Sequence, residues 1–152
     1  MTVHTAGHEK HDLSQDQIFM RAVRIATNAH RGQRGRDGRP YIEHCERVAM
    51  RVDPALRPIA YLHDVLEKSE GWTIDRLRLD GFPEAIIEAV DALTRRDGED
   101  EESFVLRAAS NPLALPVKRA DLEDNLQQAL GDGADPDRYR HGLDVLARAG
   151  NG

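Results

Sequence analysis

The sequence predicts an all-α fold, a bundle of about seven or eight helices. Apolar residues recur at three- and four-residue intervals through most of the chain, the period of a helix buried along one stripe. Aromatic residues make up only 5% of the 152, and β-branched runs are scarce, which disfavours strands. Helix-start and helix-break signals punctuate the periodic segments closely enough for helices joined by short loops.

Residues 1–12 (MTVHTAGHEKHD) show no periodicity and read as a disordered polar tail; His4, His8 and His11 have a metal-like spacing only if that segment is helical. A single domain is expected over residues 13–150. Ser14 and Gln17 form a capping box, and Ile18, Ala22, Ile25 and Ala29 line a first helix that ends near His30. A cationic His30 would complement the helix dipole there, with a supporting role beside a site as the alternative. Residues 31–39 (RGQRGRDGR) hold three glycines and four arginines and read as a loop. Pro40 opens a second helix carrying Ile42, Cys45, Ala49 and Val52 on one face. Leu56, Ile59, Leu62 and Leu66 mark a third, and Thr73 caps a short fourth beside Trp72. After Gly81-Phe82-Pro83 come a fifth helix (Ile86, Val90, Leu93), a solvated acidic turn at 97–102, and a sixth around Phe104. Asn111-Pro112 opens the helix of Val117, Ala120 and Leu122. Gly131 to Pro136 form a loop before a last helix with Tyr139, Leu143 and Leu146.

Composition excludes several classes. A net charge of −6 argues against a general nucleic-acid binder, though not against a local basic pocket. No apolar run reaches the roughly 18–20 residues of a membrane span, and the first residues lack a secretory signal. Cys45 is the one cysteine, so no internal disulfide forms. A soluble, cytoplasmic protein is expected, with its oligomeric state left open.

A few polar residues stand where apolar ones belong. His63-Asp64 lies between Ile59-Ala60-Tyr61-Leu62 and Val65-Leu66, on a helix that should be buried. A buried carboxylate beside a buried imidazole is costly without compensation, and a divalent cation supplies it. Asp121 and His44 are similar anomalies on two other helices. Two histidines and two aspartates make a mixed nitrogen/oxygen donor set. Spacing alone leaves a second reading open, a hydrogen-bonded His-Asp pair in the core. Glu67, one turn past His63, is placed to orient or deprotonate a water, or else is an exposed helix-end glutamate.

The segments Ala29-His30-Arg31-Gly32-Gln33 and Gly38-Arg39-Pro40-Tyr41-Ile42-Glu43-His44 resemble the opening motif of HD-superfamily hydrolases related to the guanosine polyphosphate (Rel/SpoT-type) enzymes and the small alarmone hydrolases. Ala60-Tyr61-Leu62-His63-Asp64-Val65-Leu66-Glu67 is similar to the family's central motif. Gly81-Phe82-Pro83, Leu93-Thr94-Arg95 and Lys118-Arg119-Ala120-Asp121-Leu122-Glu123-Asp124-Asn125 follow in order, so the resemblance covers about residues 15–148. It implies an HD-type helical domain with metal ligands His44, His63, Asp64 and Asp121. The implied cofactor is one divalent ion, usually Mn²⁺, with Fe, Zn, Co or Ni as alternatives. The implied reaction is attack of water on phosphorus, releasing pyrophosphate from the 3′ position of guanosine tetra- or pentaphosphate. Asp64 and Glu67 become the catalytic pair, and Arg36, Lys118 and Asn125 match substrate positions. Tyr41 either packs beside the nucleotide or anchors its helix. Arg31 and Arg39 are expected to be solvated.

Three residues depart from that pattern. Lys68 replaces an aspartate that forms an acidic pair with the glutamate before it, Gly35 replaces a basic residue, and Cys45 replaces a proline. Cys45 reads as a small buried hydrophobe, with a reactive or metal-bound thiol as the lesser option. Lys68 and Gly35 keep two alternatives in view: a catalytically weakened nucleotide-binding sensor, and an HD nucleotidase with another substrate.

Overall fold

The computed structural model describes residues 13–151. The tail at 1–12, with His4, His8 and His11, lies outside the described residues. Among those described are nine α-helices: α1 (Gln15–Ala29), α2 (Tyr41–Met50), α3 (Arg57–Leu62), α4 (Val65–Lys68), α5 (Ile74–Leu79), α6 (Glu84–Ala92), α7 (Glu101–Ala109), α8 (Ala114–Asp132) and α9 (Asp137–Asn151). A 3₁₀ turn at Pro54–Leu56 leads into α3, and the only extended pairing among the described residues is an isolated bridge between Arg34 and Pro40. The all-α expectation holds. The count exceeds eight because the third helix is interrupted at His63-Asp64.

The local signals act as anticipated. Ser14 Oγ accepts from Gln17 N at 3.1 Å while Gln17 Oε1 accepts from Ser14 N at 2.8 Å, closing the start of α1. Thr73 Oγ1 accepts from Arg76 N at 3.1 Å at the head of α5, and Trp72 beside it packs on the core beneath the Arg76 guanidinium. Asn111 Oδ1 accepts from Leu113 N and Ala114 N, so the capping group of α8 lies ahead of its first residue. Helix α8 runs to Asp132, past the expected break at Gly131, because the left-handed residue that ends it is Gly133 (φ 76°).

Helix α3 is the centre of the main core. It packs against α1, α2, α6 and α8. Ile59, Ala60 and Leu62 are almost wholly buried, and burying a side chain such as Leu62 or Ile59 contributes about 1.5–3 kcal/mol. Because neighbours surround α3, the residues that follow it, His63 and Asp64, enter the interior as well. A second cluster joins α7, α8 and α9 through Val105, Leu122, Val145 and Leu146. Helix α8 serves both cores, with Val117 and Ala120 in the first and Leu122 in the second. Its polar residues Lys118, Asp121 and Asp124 therefore lie inside the fold, with Asn125 half-buried at helical spacing beside them.

The acidic turn is less solvated than its composition suggested. Glu99 accepts from Arg107 Nε and an Arg107 terminal nitrogen, both at 2.8 Å, and from Arg96 N at 3.0 Å. Arg107 also donates to the carbonyls of Asp91 and Thr94, so the pair ties the loop after α6 to α7. The Arg107 contact holds the Glu99 carboxyl down at about 2, below the usual glutamate value. A depressed carboxylate stabilises the fold above its unfolded value near 4.5, and that contribution is lost as pH falls toward 2. Glu99→Gln is expected to lower the melting temperature at pH 7. The gap to wild type should narrow as pH falls from about 4.5 toward 2. A pH-independent gap in thermal scans would deny the ion pair this role.

Candidate metal centre

Two regular successive residues on a helix point about 100° apart, so an unbroken helix would not aim His63 and Asp64 at one point. The interruption resolves this. His63 N reaches back only to Ala60 O (3.5 Å), and Asp64 takes φ −114°, ψ 4°, off the helical path. One ligand atom each from His44, His63, Asp64 and Asp121 then lies within 4.8 Å of all the others. Helix α2 supplies His44, the α3–α4 junction His63 and Asp64, and α8 Asp121.

Hydrogen bonds on the far side of each imidazole decide which nitrogen faces the cluster. Ala60 O can only accept, so His63 Nδ1–H donates to it at 2.6 Å. The Asp124 carboxylate receives His44 Nδ1–H at 2.7 Å. Both Nε2 atoms are left facing carboxylates: His44 Nε2 is 2.9 Å from Asp121 Oδ1, and His63 Nε2 is 3.0 Å from Asp64 Oδ2 and 3.3 Å from Asp121 Oδ1. Lone pairs so close to carboxylate oxygens require positive charge between them, as two protons or as a cation. The titration behaviour carries the same demand. Burial opposes charging His44, but its bonds to Asp121 and Asp124 prevail and raise it to about 9. His63 is also raised, Asp64 and Asp121 against burial. Burial pushes the carboxyl groups up, yet His63 pulls Asp64 down, and Lys118 with the two histidines pulls Asp121 far down. A divalent cation fits this donor set of two imidazole nitrogens and two carboxylates.

Other residues brace the cluster. Tyr41 donates its hydroxyl to Asp64 Oδ2 while its ring packs between His30 and His44. Tyr41 thus anchors α2 against the cluster, and it also lines the cavity described below. Lys118 Nζ lies 3.3 Å from Asp121 Oδ2, and Asn125 Nδ2 donates to Asp121 Oδ1 at 3.3 Å. Cys45 is fully buried, and burial pushes its thiol up to about 12, so it behaves as a small apolar residue. His30 requires a correction. It is not a cationic end cap: it is buried, Nδ1–H donates to Gln33 Oε1 at 2.8 Å, and desolvation lowers its pKa, leaving it neutral.

Asp64 and Asp121 form part of the floor of a cavity of about 320 Å³. Its wall also carries Glu67 and six cations, Arg34, Arg36, Lys68, Arg95, Lys118 and Arg138, in a chain whose net charge is −6. Arg36 is braced by Asp132 (3.2 Å) and Tyr139 Oη (2.7 Å), while Arg95 and Arg138 share Glu101. Among the described residues, no carboxylate pairs with Arg34 or Lys68; Lys68 Nζ instead stands 5.1 Å from the Tyr41 ring centre. Gly35 lines the same wall, and Arg31 and Arg39 point away to Asn28 and Glu43. Sequence reasoning gave no site role to Arg95, although it closes the Leu93-Thr94-Arg95 motif, nor to Glu101, Arg138 and Tyr139, which arrive from α7 and α9 with no spacing that links them to the motifs. It also assigned no role to Asp124, although a third carboxylate three residues past Asp121 on a buried helix was a legible signal.

No family model matches the chain. GTP pyrophosphokinase of Streptomyces coelicolor is 31% identical over 121 residues, covering 70% of this chain and 14% of its own length. The bifunctional (p)ppGpp synthase/hydrolase SpoT of Escherichia coli is 27% identical over 133 residues, 76% of this chain and 19% of its own. The solved structure of a metazoan ortholog of SpoT, a protein that hydrolyses ppGpp, superposes with a TM-score of 0.70 at 22% identity, over 89% of this chain and 86% of that one. The chain shares the all-α fold of that SpoT ortholog and is similar in sequence to the Rel/SpoT proteins. The chain spans between 14% and 19% of the length of those two curated proteins, whereas its fold matches that of the metazoan ortholog over most of both chains. No helix among the described residues is long and apolar enough to cross a membrane.

Proposed function

We propose that this Rel/SpoT relative is a metal-dependent phosphohydrolase that removes pyrophosphate from the 3′ position of guanosine tetra- or pentaphosphate. The observation that carries this reading is the convergence of His44, His63, Asp64 and Asp121, the two aspartates lining the floor of a cavity whose wall carries six cations. A divalent ion held by those four residues, manganese first among the candidates, would supply charge that lowers the pKa of water and offsets developing charge on phosphoryl oxygens.

The chain's own groups divide the remaining work. Asp64 is held ionised and oriented by Tyr41 and His63. Glu67, exposed on the cavity wall, accepts the proton of the attacking water. The water oxygen bonds to the phosphorus attached to the ribose 3′ oxygen; the bond between that phosphorus and the 3′ oxygen breaks, pyrophosphate departs carrying the water oxygen, and the 3′ oxygen takes up a proton to become the ribose hydroxyl. Arg36, fixed by Asp132 and Tyr139, presents a preformed guanidinium to phosphate, and guanidinium matches phosphate with two parallel bonds. Lys118, Asn125 and Tyr41 border the substrate where it meets the floor. The partner is a small nucleotide.

The test is release of pyrophosphate and phosphate from guanosine tetraphosphate and a nucleotide panel by protein loaded with Mn²⁺. Metal-dependent pyrophosphate release supports the reading. Phosphate release from a monophosphate would instead support a nucleotidase. Lys68 favours one other reading, a nucleotide-binding sensor with weakened catalysis, because a cation stands next to Glu67 on the same wall. Lys68→Asp is therefore expected to raise turnover; an unchanged or lower rate would clear Lys68 as the limiting feature.

A further inference from the structure

The floor of the site rests on a second ion-paired layer that none of the four candidate ligands belongs to. Asp124 on α8 is 1% exposed, the most buried carboxylate among the described residues. Its Oδ2 accepts His44 Nδ1–H at 2.7 Å. From the other side Arg47 on α2 donates Nε to Oδ1 at 2.9 Å and a terminal nitrogen to Oδ2 at 3.2 Å. Arg47 is pinned in turn by Asp37 of the glycine-rich loop, whose Oδ2 lies 3.3 Å from it. A guanidinium can only donate, so both Asp124 oxygens are obliged to accept.

We infer that Asp124 and Arg47 act as a positioning pair that fixes His44 in the Nδ1–H tautomer and so turns the Nε2 lone pair toward the metal site. This rests on the metal-centre reading and extends it to residues outside the ligand set. An imidazole ligates only through an unprotonated nitrogen, and the group on its far nitrogen decides which one that is. The pair makes an unusual demand on substitutions. In Asp124→Asn, Arg47 requires the amide oxygen, so the amide NH₂ faces His44 Nδ1. That nitrogen must then accept, the proton moves to Nε2, and the ligand is lost although shape and volume are kept. Removing Arg47 as well frees the amide to turn, present its oxygen to His44 Nδ1–H and restore the ligating tautomer. The second substitution should therefore repair the first, which simple loss of packing or charge does not predict.

The experiment is Zn²⁺ affinity by competition with a chromophoric chelator for wild type, Asp124→Asn and Arg47→Met/Asp124→Asn, with melting temperatures of the metal-free proteins measured alongside. Asp124→Asn is expected to bind Zn²⁺ roughly 10–100-fold more weakly, the usual effect of losing a histidine's supporting partner. The double variant should recover most of that loss. Nitrogen-15 spectra of the Zn²⁺-loaded wild type read the tautomer directly and do not depend on any variant folding: Nδ1–H with Nε2 bound is expected for His44. Wild-type affinity in Asp124→Asn, no recovery in a folded double variant, or His44 bound through Nδ1 would each overturn the inference. Failure of the wild type itself to bind Zn²⁺ or Mn²⁺ would remove the metal-centre reading, and this inference with it.

Discussion

Asp121→Asn is expected to release the metal and abolish hydrolysis. Asp121 is the hub of the cluster: its Oδ1 lies 2.9 Å from His44 Nε2 and 3.3 Å from His63 Nε2, and it also meets Lys118 and Asn125. The affinity loss should exceed the roughly 10–100-fold typical of changes one layer further out. Stability should fall as well. Lys118 is 6% exposed, and removing one partner of a buried ion pair costs about 3–5 kcal/mol. Asp64→Ala should behave alike, with Tyr41 losing its acceptor. Metal content by elemental analysis and thermal scans with and without Mn²⁺ test both variants. If the variants retain metal and melting temperature, the site lies elsewhere.

Glu67→Gln carries the second large effect, and of a different kind. Glu67 is exposed on α4, and its Oε1 accepts from Arg95 N at 3.2 Å, a contact that a glutamine oxygen preserves. Folding, metal content and nucleotide affinity should remain near wild type, while turnover falls by about 10²–10⁴, the usual contribution of a general base. A variant that keeps turnover would return Glu67 to the role of an exposed helix-end residue that braces the loop after α6.

These two substitutions separate because their residues occupy different depths of one cavity, and the sequence disclosed the two depths unequally. The anomaly at His63-Asp64 was visible without coordinates, since Ile59, Leu62, Val65 and Leu66 announce a buried segment that two ionisable side chains interrupt. Asp121 and His44 were visible for the same reason. The outer wall was not. Glu101 and Arg138 come from α7 and α9, and each looks like an ordinary surface residue until tertiary packing brings them to one rim with Arg95 and Tyr139. His30 was misjudged on similar grounds: its place at the end of α1 suggested a solvated cation, and the Tyr41 ring packed on it keeps it dry and neutral.

The sequence by itself determined the all-α fold and the boundaries set by Ser14, Pro40 and Thr73, and it singled out His44, His63, Asp64 and Asp121 as ionisable residues in apolar segments. All of these rest on local chemistry, namely helical period, capping and the rarity of charge in apolar segments. Only the tertiary structure decided that the third helix breaks at His63-Asp64 so that both side chains reach one point. Only it decided that Asp124 and Arg47 stand behind His44, and that a chain of net charge −6 gathers six cations around one cavity. Hydrogen-bond direction, desolvation and charge pairing depend on which helices become neighbours, and neighbours distant in the chain leave no local trace.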